Sequence, residues 1–240
     1  MATPHNVANK GEIAKYVILT GDPVRATKIK DVLMPDAKLV NNIRGMNTYT
    51  GKVNGKRLTI MPHGMGCPSM GIYVTELFDY YGVEKVVRLG TIGSLRKDLP
   101  IKSVIIAEES YSKTNFDDFY IKNGAGFIKA DPEMVEKAKK FCDEANLKNA
   151  CGRIYCSDNF YTDEDQVALG KKYNLLGVEM ESAALYLTAQ KYNKKAVALC
   201  LVSECLVSDG WAVRKNISAL EKEDMFQTLS KVAVQILFDK

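Results

Sequence analysis

The sequence predicts an α/β protein: a mixed central sheet with helices on its faces, in one domain over residues 1–240. Three observations carry this. Short apolar runs alternate with helix-like stretches along the whole chain, the order that layers helices on a sheet. Asn54-Gly55 sits between two such runs and marks a tight antiparallel hairpin, so the sheet is mixed rather than purely parallel. No Pro/Gly/Ser linker, charge block or internal repeat divides the 240 residues, a length that α/β layers reach as one unit.

Each element follows from local chemistry. Tyr16–Thr20 is a short buried strand, and Asp22 caps the helix after it, with Pro23 at the first helical position. Thr48–Val53 and Lys56–Met61 are the arms of the Asn-Gly hairpin. Ser69–Tyr81 is a helix stopped by Gly82. Lys85–Leu89 and Val104–Ala107 are buried strands. Asp131-Pro132 opens a helix whose Val135, Ala138, Cys142 and Ala145 share one face. Gly152–Cys156 and Leu175–Val178 are further strands, Glu181–Tyr192 a helix and Lys195–Val202 a long apolar strand. Ser218 and Glu221 form a capping box before a last helix striped by Met225, Leu229, Val232, Ala233 and Ile236.

Composition narrows the function. Lys and Arg number 33 against 29 Asp and Glu, a net +4, too little excess for a dedicated nucleic-acid binder. The six cysteines contain no Cys-x-x-Cys pair, and only His5 and His63 stand by to complete a metal site, so no metal is expected. The polar start Met-Ala-Thr-Pro-His-Asn lacks the apolar stretch of a secretory signal, and no run approaches the ~20 residues of a membrane span. The expectation is a cytoplasmic protein with reduced thiols and no membrane partner.

In such sheets chemistry collects at the carboxyl ends of strands. Gly21-Asp22-Pro23-Val24-Arg25 follows the first strand. A helix start suits an anion, and Arg25 in the first turn opposes the helix dipole unless an anion sits there. The plain alternative is a capped helix with a solvated arginine. Arg88 ends an otherwise buried segment, where a charge is either functional or held in a structural ion pair with an interior carboxylate. Thr91, between Gly90 and Gly93, offers a hydroxyl and close backbone amides to the same anion. Neither the Gly-x-Gly-x-x-Gly nor the Gly-Lys-Ser/Thr phosphate pattern is present.

Glu179 and Glu181 flank Met180 at another strand end, where carboxylates accept from sugar hydroxyls; acids at a helix start are also common. Ser203-Glu204 places one more carboxylate at the edge. Phe160-Tyr161 offers faces for a flat ring, though aromatics there are more often core. Met65 and Met180 are more often packing than ligand contacts. An arginine-lined anion pocket, carboxylates for hydroxyls and a platform for a flat base are the set needed to cleave a nucleoside with phosphate.

These motifs resemble the hexameric, bacterial-type purine nucleoside phosphorylases of the nucleoside phosphorylase superfamily, over nearly the whole chain. The most specific pieces are Gly21-Asp22-Pro23-x-Arg25, Asn41-Asn42-Ile43-Arg44-Gly45-Met46, His63-Gly64-Met65-Gly66, Arg88-Leu89-Gly90-Thr91-x-Gly93 and Gly177-Val178-Glu179-Met180-Glu181-Ser182-Ala183. The resemblance implies a three-layer α/β/α sandwich around a mixed, partly barrel-like sheet. It implies reversible phosphorolysis of purine nucleosides, with inorganic phosphate as co-substrate, no cofactor, and a hexamer built as a trimer of dimers. Gly21, Arg25, Arg88 and Thr91 then resemble the phosphate cradle, and Arg44 a phosphate ligand reaching a neighbouring subunit's site. His5 resembles the residue that crosses the same interface to the ribose 5′-hydroxyl. Met65, Glu179, Met180 and Glu181 fall at the ribose; Phe160, Val178, Ser203 and Glu204 fall at the base.

Two linked positions depart from the family. Its general acid in Val-Ser-Asp is here Glu204, and the arginine paired with that acid corresponds, by the Glu-x-x-x-x-Phe frame, to Lys222. Glu adds a methylene, and Lys keeps the charge but loses the planar fork. The segment between them, Cys205 to Ile217, is longer than usual and holds Trp211 and a second candidate acid, Asp209. Rival readings are a uridine phosphorylase, which lacks support because no pyrimidine-reading Gln/Arg insertion follows Tyr161; a nucleosidase, which would not need the arginine set; and a non-catalytic nucleoside-binding protein on the same fold.

Overall fold

Strand β1 (Tyr16–Thr20) starts the sheet in the computed structural model, which describes residues 2–121, 126–207 and 217–239. The elements that follow are α1 (Pro23–Leu33), β2 (Lys38–Asn41), β3 (Thr48–Val53), β4 (Lys56–Pro62), α2 (Gly66–Thr75) and β5 (Lys85–Ser94). Then come β6 (Val104–Ser112), β7 (Phe127–Lys129), α3 (Pro132–Glu144), β8 (Asn149–Cys156) and α4 (Gln166–Tyr173). β9 (Leu175–Glu179), α5 (Ser182–Lys191), β10 (Lys195–Cys205) and α6 (Ala219–Phe238) complete the described chain.

Caps set the helix starts as the sequence predicts. Asp22 accepts from Val24 N at 2.8 Å, Asp131 from Met134 N at 2.9 Å, and Ser218 forms a reciprocal box with Glu221. In the hairpin, Asn54 and Gly55 have φ of 50° and 75°, the paired positive values that a two-residue turn needs. The predicted helix 69–81 begins earlier, at Gly66, and passes into a wider π turn over Glu76–Tyr80. Strand β2, strand β7 and helix α4 carry too little periodicity to be legible in the sequence.

The sheet runs β10-β6-β8-β9-β5-β1-β4-β3-β2, with β7 on β6, and a further β10–β5 pairing closes the first five strands into a ring. β5 is parallel to both β1 and β10; β9 joins it antiparallel, and β3–β4 and β2–β3 are antiparallel as well. The sheet is therefore mixed and partly barrel-like. Helix α6 packs on α1, α3, β1 and β5, while α2 and α5 pack on each other and α5 on β6 and β10, which gives three layers. In α6, Leu229, Val232, Ala233 and Ile236 are buried, and Met225 is partly buried against the same core. No helix among the described residues is long and apolar enough to cross a membrane.

Candidate active site

A cavity of about 870 Å³ opens where β1, β5, β9 and β10 end and α1 and α5 begin. That is within the ~300–1,000 Å³ common for small-ligand sites. Gly21, Arg25, Arg88 and Thr91 line it, as do Met65, Glu179, Met180 and Glu181, and Phe160, Val178, Ser203 and Glu204. His5, Arg44 and Lys222 are not part of its lining.

The capped first turn of α1 carries Arg25, which lines the cavity. Its Nη1 donates to Thr20 Oγ1 at 3.1 Å, and its guanidinium lies 4.1 Å from the centroid of the Phe226 ring on α6. Burial draws its pKa down to about 10, so it is charged at neutral pH. Among the described residues no carboxylate is within ion-pair distance of it. Arg25 is thus held by an aromatic face and a hydroxyl rather than by an ion pair. Phe226 is a supporting residue that the sequence reading missed.

Arg88 is only 3% exposed and pairs with two carboxylates. Its Nη1 is 3.0 Å from Glu179 Oε2, and its Nη2 donates to Glu181 Oε2. Burial works against its charge, but Glu181 and Glu179 outweigh that and hold it protonated. The structural ion pair weighed as the alternative for Arg88 is therefore present, alongside a place in the cavity wall.

Gly90–Gly93 continues β5, paired with β10 from Cys200↔Gly90 to Glu204↔Gly93, and lines the cavity. What Gly90 supplies is room. The guanidinium folds back over it, and a Cβ there would lie 2.3 Å from Arg88 Nη1.

Glu179 and Glu181 differ sharply although both line the cavity. The Glu179 carboxylate is turned to the protein: Glu181 N at 3.0 Å, Ser182 N at 3.1 Å and Ser182 Oγ at 2.5 Å donate to it, besides Arg88. This caps α5, which has no side-chain cap of its own. Donors thus sit on both Glu179 oxygens, although the residue also lines the cavity. Among the described residues, Glu181 accepts only from Gly66 N, at 2.8 Å, and from Arg88. Burial raises its pKa, Arg88 opposes this, and Glu179 adds to it.

Ser203 and Glu204 both line the cavity, at a register shift in β10. In β10 the register steps from Val202↔Ile92 to Glu204↔Gly93, which leaves Ser203 as the extra residue. Without it, strand alternation would send the two side chains to opposite faces. The sequence places them at a strand end and carries no local signal for the register shift. Phe160 is 63% exposed at the cavity wall and meets Tyr161 edge-on at 5.1 Å; Tyr161 is 87% exposed and outside the lining. Met65 is 82% exposed at the mouth. Lys222 is half-buried in the first turn of α6. Asp209 and Trp211 lie outside the described residues.

His5 and Arg44 gather elsewhere. His5 Nδ1 is 2.7 Å from Glu76 Oε1, and Thr3 Oγ1 donates to Glu76 Oε2 at 2.5 Å. The His5 ring meets Tyr73 edge-on at 6.2 Å, and Arg44 acts electrostatically on that same tyrosine. Arg44 is exposed, with a left-handed φ of 56°. Among the described residues no group of three or more His, Cys, Asp or Glu side chains could hold a metal ion.

His63, in the His63-Gly64-Met65-Gly66 motif, is fully buried behind Gly21, with Cε1 3.7 Å from where a Gly21 Cβ would stand. Burial, Arg88 and Arg25 push its pKa well below the usual 6.5. The unfolded chain takes up a proton there below about pH 6.5 and the folded chain does not, so stability falls as pH falls. Urea unfolding between pH 7.5 and 5 should show this as up to about 1.4 kcal/mol per pH unit, absent in His63→Gln. Equal slopes in the two proteins would refute the assignment.

Residues 15–238 match the family described as the phosphorylase superfamily. The purine nucleoside phosphorylase DeoD-type of Yersinia enterocolitica is 35% identical over 100% of this chain and 99% of its own. That of Mycoplasma genitalium is 37% identical over 98% of each. Among solved structures, a uridine phosphorylase from Vibrio fischeri ES114 superposes with a TM-score of 0.86 at 23% identity, covering 100% of this chain and 98% of that one. At that identity the superposition speaks for the fold alone.

Proposed function

The chain belongs to the phosphorylase superfamily, and on that footing we infer that it catalyses reversible phosphorolysis of purine ribo- and deoxyribonucleosides to the free base and pentose 1-phosphate, a salvage reaction. It is an enzyme of the pentosyltransferase class. The observation that carries the reading is one cavity whose wall holds Arg25, Arg88, Met180, Glu181 and Glu204 together. The 23% likeness to a uridine phosphorylase does not compete with full-length purine relatives at 35–37%.

Phosphate, held by Arg25, Arg88, Gly21 and Thr91, is the nucleophile at the ribose anomeric carbon. Positive charge grows on the sugar as the bond to the base breaks, as in other glycosyl transfers. The anion stabilises that charge, and the fixed guanidiniums hold the anion without reorganising. Met65, Met180 and Glu181 hold the ribose, and Phe160, Val178 and Ser203 hold the base. Glu204 protonates the purine N7, with Lys222 as its cationic partner from α6. Phosphate is the only co-substrate and no cofactor takes part. The six free thiols suit a reducing cytoplasm.

The site draws on a second copy. The charges of Arg25 and Arg88 are balanced by those of Glu179 and Glu181, so a phosphate dianion calls for more positive charge. Arg44, exposed and away from its own cavity, supplies it to the neighbour, with His5 beside it for the ribose 5′-hydroxyl. The assembly is a hexamer, a trimer of dimers. Mixing inactive His5→Ala/Arg44→Ala subunits with inactive Arg88→Ala subunits should restore activity; a fully active monomer in sedimentation would refute the shared site.

The deciding assay follows base release from inosine, adenosine and uridine with and without inorganic phosphate. Phosphate-dependent cleavage of the purine nucleosides alone is expected. Equal rates without phosphate would make the protein a nucleosidase, preferred cleavage of uridine a pyrimidine enzyme, and binding without turnover a nucleoside-binding protein.

A further inference from the structure

The two carboxylates that share Arg88 are fastened very differently. Glu179 meets Glu181 N, Ser182 N, Ser182 Oγ and Arg88, at 2.5–3.1 Å. Shifting it would uncap α5 as well as unpair Arg88. Glu181 has one donor on each oxygen, Gly66 N and Arg88 Nη2. It also lines the cavity, as do Arg88 and Met180. Two carboxylates face one guanidinium, so one of them is surplus.

We propose that Glu179 is the permanent partner of Arg88 and Glu181 the exchangeable one, so that phosphate displaces Glu181 from Arg88 and thereby frees it to accept ribose hydroxyls. This rests on the reading of the cavity as a phosphate and nucleoside site. An oxyanion on Arg88 and the Glu181 carboxylate are like charges competing for the same N–H donors, and in a buried setting they repel strongly. The carboxylate leaves Arg88 and keeps its acceptor capacity for the two hydroxyls of a ribose. By linkage, whatever phosphate does to nucleoside affinity, nucleoside does equally to phosphate affinity. Glu179 is then a positioning residue that keeps the guanidinium in place during the exchange, over the space left by Gly90.

The test is titration calorimetry with inorganic phosphate, alone and with a purine C-nucleoside whose carbon–carbon glycosidic bond cannot be phosphorolysed. In the parent, phosphate should tighten nucleoside binding by about fivefold or more, the usual size of such linkage. Glu181→Gln should bind phosphate more tightly than the parent when no nucleoside is present, and should lose the mutual tightening. Glu181→Asp keeps the charge and the fold but falls short of Arg88 by one carbon–carbon bond, about 1.5 Å. It should also bind phosphate more tightly than the parent; if it behaves like the parent while Glu181→Gln tightens, bulk charge explains the effect and the exchange is refuted. Phosphate affinity unchanged or weaker in both variants also refutes it, while phosphate-dependent turnover by the parent would leave the phosphorolysis reading standing. A parent that binds no phosphate would overturn both.

Discussion

Arg88→Ala is expected to lower kcat/KM for purine nucleoside phosphorolysis by about 10²–10³-fold, the usual loss when one fixed electrostatic partner of a transition state is removed. It should also destabilise the fold, by about 3–5 kcal/mol, because Glu179 and Glu181 would be left as buried carboxylates without their cation. Kinetics and urea unfolding on the same preparations check both parts. Gly90→Ala separates them: its Cβ would meet the guanidinium at 2.3 Å and push it aside without removing the charge. A displacement of about 1 Å is enough to lose roughly 10²-fold in rate, so Gly90→Ala should lose activity with less loss of stability. Arg88→Ala that keeps phosphate-dependent activity within tenfold of the parent would show the arginine to be structural alone.

Glu204→Gln should cut turnover of inosine and adenosine by about 10²–10⁴-fold, the range for losing a general acid. It should spare 7-methylated purine nucleosides, whose base already carries the positive charge that protonation at N7 would create. Glu204 lines the cavity at the register shift in β10, and the added methylene reaches about 1.5 Å further than an aspartate. The rate ratio between inosine and 7-methylinosine for parent and variant is the measurement. If Glu204→Gln changes neither while Asp209→Asn abolishes inosine cleavage, the acid comes from the segment after Leu206 instead.

Much of this architecture was legible in the chain. Caps at Asp22, Asp131 and Ser218, the Asn54-Gly55 turn and the apolar runs identify most elements, because those signals act over a few residues and do not depend on distant contacts. Arg25, Arg88, Glu181 and Glu204 stood out as charges at the ends of apolar segments, and all four line one cavity. Strands β2 and β7 and helix α4 were not legible, since short elements with mixed composition are selected by their neighbours rather than by their own pattern.

By itself the sequence determined which chemical groups are present, the residues 15–238 that carry the family, and the strand ends where those groups sit. Tertiary structure alone decided which of them are free to act. Glu179 and Glu181 are two residues apart and chemically identical, yet the amides of α5 saturate the first and leave the second one donor per oxygen. The register shift at Ser203 and Glu204 arises only from pairing β10 with β5. Burial of His63 behind Gly21 follows from the pairing of β4 with β1. The physical reason is common to all three: hydrogen-bond saturation, strand register and desolvation are set by atoms far apart in the chain, and local sequence carries no record of them.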